Sequence, residues 1–152
     1  MIDDSLFFMM GEYQAEIPVD RSYARNHMWG QLQADGRWRF GLSSYAVRLL
    51  QDVYFLDWEM DAPAAVSARQ EIGAIESKKA ESSLYAPIGG NLLQFNEVLM
   101  DDPSAINLDK YGAGWLLEIE GDGASLLSPQ QYVSLLEDVW QETQRTIKGQ
   151  LN

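Results

Sequence analysis

The chain contains no cysteine and a single histidine, His27. Without cysteine it cannot form a disulfide, a thiolate zinc site or an iron–sulfur cluster, and it has no cysteine nucleophile. One histidine supplies too few ligands for a typical transition-metal site, and the nucleophile-elbow motif G-x-S-x-G is missing. We therefore interpret His27 as a structural or surface residue and expect a protein that is not an enzyme.

Basic residues are scarce: Lys and Arg total 11 against 23 Asp and Glu, so the formal net charge is -12. Such a chain repels phosphate backbones, and we expect no nucleic-acid partner. The acidity either steers the protein towards basic protein surfaces or only keeps it soluble. No apolar run is long enough to span a bilayer. The short run at residues 6–10 follows Asp3 and Asp4 where a signal peptide carries basic residues. We expect a cytoplasmic protein with no membrane partner.

The 152 residues suit one domain with a single core. Residues 1–26 show no sustained period, and we interpret them as an irregular N-terminal arm with one short strand. The domain proper is expected over residues 27–152. At its start, alternation over residues 28–43 predicts a hairpin that turns at Asp35 and Gly36.

Short elements follow at roughly ten-residue spacing. "SSYAVRLLQ" predicts a short helix capped by Ser43 or Ser44. Strands are predicted in "DVYFLDWEM", "EIGAIES", "SLYAPIGG", "NLLQFNEVL" and "GWLLEIEGDG", with loops at "APAAVSARQ" and "DDPSAINLDKYGAG". In the last strand Glu118 and Glu120 are expected to face solvent. The pattern predicts a mainly β fold, a small β-sandwich or flattened barrel with short surface helices.

The last element is an amphipathic helix, predicted over residues 128–148. Ser128 is placed to cap it, Pro129 occupies the first helical position, and Gln131 completes a capping box. Apolar residues then recur at steps of three and one, which predicts one buried face. Packing on the domain is favoured over binding a partner, because the tryptophan on this face needs burial.

Lysine is rare in the chain, yet Lys78 and Lys79 are adjacent in "IESKKAESSLYAPIGG". They lie between two strand-like runs that can pair as a hairpin. A side chain at a hairpin tip projects away from the sheet and is open to a modifying enzyme. Lysine is also the residue that is acylated through its amine.

Two stretches resemble the H protein of the glycine cleavage system. "IESKKAESSLYAPIGG" is similar to the family's V-E-S-V-K-A followed by Y-A-P-x-x-G, and "NLDKYGAGWLLEI" to its N-x-x-P-Y-G-x-G-W-L. The resemblance implies a lipoyl-domain fold, a flattened β-barrel of two sheets. It also implies lipoic acid in amide linkage to Lys79, with Glu76, Ser77 and Ala80 recognised during lipoylation. Lys78 takes the place of the family's valine, so modification of Lys78 instead is the alternative.

The resemblance implies a carrier that moves an aminomethyl group on a lipoyl-lysine arm. Its partners would be glycine decarboxylase, aminomethyltransferase, dihydrolipoamide dehydrogenase, and a lipoate ligase or a lipoyl or octanoyl transferase. The family's H-E-W is His27-Met28-Trp29 here. This departure leaves two alternatives: an H-like protein of sulfur oxidation or lipoate relay, and an unlipoylated interaction module. We expect a monomer.

Overall fold

The structure is a computed structural model that describes residues 4–34 and 36–151. The strands are β1 (Ser5–Met10), β2 (Tyr13–Pro18), β3 (Ser22–Tyr23), β4 (Met28–Ala34), β5 (Arg37–Leu42), β6 (Val53–Trp58), β7 (Ala64–Val66), β8 (Glu71–Ser77), β9 (Glu81–Tyr85), β10 (Gly90–Phe95) and β11 (Leu117–Glu120). The helices are α1 (Ser44–Leu50), α2 (Val98–Asp101), α3 (Ala105–Leu108) and α4 (Pro129–Leu151).

The strands form antiparallel sheets that enclose the main core. One has six strands in the order β3-β4-β5-β11-β10-β7, and another has three in the order β6-β8-β9. Alternate side chains of both sheets enter one apolar cluster, with Phe40, Leu92 and Ile119 from the first and Leu56 and Ile75 from the second. The prediction of a mainly β, two-sheet fold is confirmed.

A second core joins the start of the chain to its end. It lies between the β1–β2 hairpin, α1 and α4, and it buries Phe8, Tyr45 and Tyr132. Phe8 meets Trp140 edge to face at 6.4 Å, and Tyr132 stacks on Tyr23 with ring centroids 4.6 Å apart. Aromatic pairs of this kind stabilise a fold beyond their buried area, so the β1–β2 hairpin and the first turns of α4 are fixed to the body of the protein.

The expectation of an irregular segment before residue 27 is wrong for the residues described. β1 and β2 pair in register from Ser5↔Pro18 to Met10↔Tyr13, and Gly11 makes the turn with a φ of 65°. The outward residues of β1, Phe7 and Met9, are apolar like its buried ones and remain about half exposed. The sequence of β1 therefore shows no alternation of apolar and polar residues. Residues 1–3 lie outside the described part.

Two of the local predictions are confirmed. β4 and β5 pair as the expected hairpin, and Gly36 has a φ of 77°, as tight turns require; Asp35 lies outside the described residues. α1 is capped by Ser43, whose hydroxyl accepts a hydrogen bond from the Ala46 amide at 3.3 Å. Both predictions depended on local backbone chemistry, which tertiary packing did not override.

The C-terminal helix begins as predicted and ends at Leu151, three residues past the expected end. The Gln131 amide donates to the Ser128 hydroxyl at 3.1 Å, and the Ser128 amide donates to the Gln131 side chain at 2.9 Å. This is the reciprocal capping box. Tyr132 and Leu136 are fully buried against the body of the protein, so this part of the apolar face packs inside.

Three expectations along the remaining chain differ from the structure. Residues 64–66, expected in a loop, form edge strand β7 on β10; backbone pairing decides this, because alanines carry little strand preference. Glu118, expected to face solvent, is buried. β11 lies between β5 and β10, where Arg39 and Gln94 are its register partners and cover it. A short helix, α2, also follows β10 where only a turn was expected.

Candidate functional site

The two adjacent lysines lie at the tip of the β8–β9 hairpin. These strands pair up to Glu76↔Glu81, and residues 77–80 connect them. Lys78, Lys79 and Ala80 are exposed. The hairpin tip therefore presents two primary amines to solvent, at one end of the three-stranded sheet. One face of that sheet is buried in the main core.

Ser77 holds the tip in one conformation from inside. Its side chain is buried, and its hydroxyl donates to the Ala80 carbonyl at 3.0 Å while accepting from the Ala80 amide at 3.2 Å and from the Lys79 amide at 3.4 Å. The Ser77 amide also donates to the Ala80 carbonyl, at 2.8 Å. A serine hydroxyl has one donor and two acceptor lone pairs, so here it is fully used. Ser77 and Ala80, predicted as site residues, are brought together with Lys79.

The tip is also attached to the start of β6. The Lys78 amide donates to the Asp52 carbonyl at 2.8 Å. Asn107 fixes the residues on either side of Asp52: its side-chain oxygen accepts from the Val53 amide at 2.9 Å, and its side-chain nitrogen donates to the Gln51 carbonyl at 2.7 Å. The backbone of Lys78 is thus anchored to the start of β6, whereas the Lys79 amide donates to the Ser77 hydroxyl within the turn.

Carboxylates lie directly below the tip. Glu76 and Glu81 are opposite each other on β8 and β9, and Phe55 of β6 is the other neighbour of Glu76. Neither Lys78 nor Lys79 lies within ion-pair distance of a carboxylate in the part of the chain that the structure describes. A group linked through a lysine amide needs an exposed, unpaired amine on an ordered turn, and Lys78 and Lys79 both meet these conditions.

Comparison with known proteins identifies the family of the chain. A family model described as "Glycine cleavage H-protein" matches residues 21–139. A glycine cleavage system H protein of Pseudoalteromonas atlantica is 41% identical over 128 residues, which cover 82% of this chain and 98% of that protein. The chain belongs to the glycine cleavage H-protein family.

Other members give the same result. An H protein of Halorhodospira halophila is 38% identical with the same coverage. The crystal structure of an H protein from Mycobacterium marinum has a TM-score of 0.69 at 36% identity, over 78% of this chain and 97% of that chain. The fold is therefore the lipoyl-domain-like flattened barrel that the sequence resemblance implied, and β1 and β2 precede the residues that the family model matches.

Members of the H-protein family are the lipoyl carrier subunits of the glycine cleavage system. The matches favour this function over the two alternatives that the departures in the sequence left open. No helix among the described residues is long and apolar enough to cross a membrane.

His27 belongs to a buried cluster beneath α4. Its Nδ1 lies 2.9 Å from the Tyr132 hydroxyl, which lies 2.8 Å from the Ser43 hydroxyl. Burial lowers the pKa of His27 to about 4, so the ring is neutral near pH 7 and its Nδ1 can accept a hydrogen bond from the Tyr132 hydroxyl. Tyr132 separates the serine from the histidine, so these residues do not form a nucleophile–base pair. The described residues also contain no group of three or more potential metal ligands.

Sequence reasoning missed the support that Asp52 and Asn107 give to the tip. Asn107 opens the second motif, "NLDKYGAGWLLEI". Its bonds to Gln51 and Val53 fix the residues on either side of Asp52, whose carbonyl accepts from Lys78 of the first motif. The same motif contributes Tyr111, whose hydroxyl donates to the Glu16 carbonyl of β2 and accepts from the Ser44 amide at 2.8 Å. The motif itself was the available signal, but the partners are distant in sequence.

Proposed function

We propose that Lys79 carries a lipoyl group in amide linkage and that the chain is the aminomethyl carrier of a glycine cleavage system. The observation that carries the proposal is the exposed Lys79 on the turn that Ser77 fixes. When bound, a lipoyl group supplies a dithiolane that carries a one-carbon unit and two electrons.

The chain's own residues do the positioning. Ser77, Asp52 and Asn107 keep the turn ordered, so the arm extends from a defined point away from the core. A tether of fixed origin raises the effective concentration of its cargo at any active site that lies within reach. Glu76 and Ala80, on either side of the attachment point, are proposed to be read by the lipoylating enzyme.

Lys79 is assigned over Lys78 for two reasons. The motif resemblance aligns Lys79 with the modified lysine of the family. The Lys78 amide is bonded to the Asp52 carbonyl, which ties it to the start of β6, whereas the Lys79 amide bonds to the Ser77 hydroxyl within the turn itself. Lys78 adds a second positive charge beside the target without any ion pair in the described residues.

The proposed partners are glycine decarboxylase, aminomethyltransferase, dihydrolipoamide dehydrogenase and a lipoate ligase or transferase. Each acts on the same arm in turn, so the carrier must leave one before it meets the next. We propose a cytoplasmic monomer for this role, with residues 27–152 as the lipoyl-bearing domain and residues 1–26 as a segment added before it.

A reconstituted glycine–bicarbonate exchange assay with the decarboxylase tests the proposal. The lipoylated protein is expected to support exchange, the Lys79→Arg variant to lose it, and the matched Lys78→Arg variant to keep it. Exchange that persists in Lys79→Arg would contradict the site. A fully lipoylated wild-type chain that supports no exchange would contradict the pathway and favour an H-like protein of another one.

A further inference from the structure

A pocket of about 300 Å³ lies at the opposite end of the β8–β9 hairpin from Lys79. Its walls come from residues 24–26, residues 68–69, the end of β9 and residues 125–126, and they include Arg25, Arg69, Tyr85 and Leu126. Tyr85 is five residues from Ala80 along β9, which corresponds to roughly 17 Å in an extended strand. The pocket and the modified tip are thus two ends of one hairpin.

The lining of the pocket is positively charged, although the molecule as a whole is strongly acidic. The net charge is -12, yet none of the pocket's lining residues is acidic. Among the arginines whose side chains are described, Arg21 pairs with Asp20, and both Arg37 and Arg39 pair with Glu118.

The other described arginines differ in their surroundings. Arg48 lies over the ring of Tyr13. Arg25 and Arg69 make no side-chain hydrogen bond or ion pair with any described residue, and both line this pocket. Three described arginines thus lack a carboxylate partner, and the two of them without an aromatic contact share one concavity in a strongly acidic chain.

The walls of the pocket are tied together by hydrogen bonds to backbone groups. The Asn26 side chain donates to the Tyr85 carbonyl at 2.8 Å. The Arg69 amide donates to the Ala86 carbonyl at 2.9 Å, and the Ala86 amide donates to the Gln70 carbonyl at 2.8 Å. Arg69 is held in the left-handed region with a φ of 69°. Non-glycine residues in that region are uncommon and concentrate at functional sites, so the arginine is positioned by a fixed loop.

We infer that this pocket is a docking site for a carboxylate-bearing segment of an enzyme that acts on the Lys79 arm. The inference rests on the proposed function. Two free guanidinium groups match carboxylate geometry, while Leu126 and Ala86 supply an apolar floor. Tyr and Arg are also the residue types that dominate binding energy at interfaces.

A protein segment suits the site better than a small metabolite. Both arginines and Tyr85 are exposed, whereas a metabolite site encloses most of its ligand. The acidic remainder of the surface repels an acidic segment, so this pocket is where such a segment can settle. Charge complementarity of this kind fixes register more than it adds affinity, and here it would set the distance from the docked enzyme to the tip.

The test compares the double variant Arg25→Gln/Arg69→Gln with Arg48→Gln, which also removes arginine charge but away from the pocket. Lipoylation at Lys79 and unfolding in urea are checked first. Steady-state rates are then measured with each arm-dependent enzyme, varying the lipoylated chain. We expect KM for at least one enzyme to rise about tenfold in the double variant with kcat unchanged. Arg48→Gln should resemble wild type, and Arg25→Lys/Arg69→Lys should be intermediate.

An unchanged KM for every enzyme would overturn the inference, as would an equal rise in Arg48→Gln. Calorimetric binding of the unlipoylated chain to the same enzymes provides a readout that does not need the arm. If wild type binds and the double variant binds about tenfold more weakly, docking holds even if Lys79 proves unmodified. If the wild-type chain is lipoylated and active, and the double variant binds the enzymes as tightly as wild type, docking is refuted and the proposed function stays intact.

Discussion

Replacing Ser77 with alanine removes the internal support of the turn at residues 77–80 without touching either lysine. The hydroxyl makes two good hydrogen bonds with Ala80, at 3.0 and 3.2 Å, and a longer one with the Lys79 amide. A net hydrogen bond contributes about 0.5–1.5 kcal/mol, so the turn should lose about 1–3 kcal/mol. Because the backbone bond from Ser77 to Ala80 remains, the hairpin should still form, but its tip should open more often.

The assay is hydrogen exchange of the Ala80 amide together with the rate of lipoylation by a lipoate ligase. A loss of this size corresponds to roughly fivefold to a hundredfold faster exchange, and kcat/KM for lipoylation should fall in the same direction. Ser83→Ala is the matched control, because Ser83 is exposed and makes no side-chain hydrogen bond with a described residue. Ser77→Ala lipoylated at the wild-type rate, despite faster exchange, would refute the argument that an ordered turn is required.

Further predictions concern stability, measured as the free energy of unfolding in urea. The pKa of His27 is near 4 in the folded chain, so below pH 6.5 the unfolded chain binds a proton there that the folded chain does not. The contribution of His27 should therefore lower the free energy of unfolding by about 2 kcal/mol between pH 6.5 and 5. His27→Asn should flatten that slope, and an unchanged slope would contradict the assignment. Glu118→Gln should cost about 1–3 kcal/mol, because Arg39 loses the buried partner at 2.9 Å; exposed Glu120→Gln should be neutral, and equal losses would count against the network. Ser128→Ala should cost about 1 kcal/mol through the lost cap, and no change would mean that the helix does not depend on it.

Features that depend on residues close together in the sequence were predictable, and features that depend on distant residues were not. The caps of α1 and α4 and the Lys79 turn follow from contacts between residues a few positions apart, and all were predicted or implied. The burial of Glu118 depends on Arg39 and Gln94, which only the sheet order brings beside it. The link from Asn107 to the start of β6 spans 54 residues. No local pattern encodes such pairs.

The β1–β2 hairpin was not predicted, for a different reason. Apolar side chains occupy both faces of β1, with Phe8 buried and Phe7 about half exposed, so the period of two that marks a half-buried strand was absent. Its inner face is stabilised by α4, the most distant element in the chain. A segment whose burial depends on so remote a partner cannot be read from its own residues.

Peptide mapping by mass spectrometry after treatment with lipoate and a lipoate ligase tests the central claim most directly. The lipoyl mass is predicted on Lys79 alone, in wild type and in Lys78→Arg, with none incorporated in Lys79→Arg. Lipoyl on Lys78, or a Lys79→Arg chain that still gains the mass, would contradict the account.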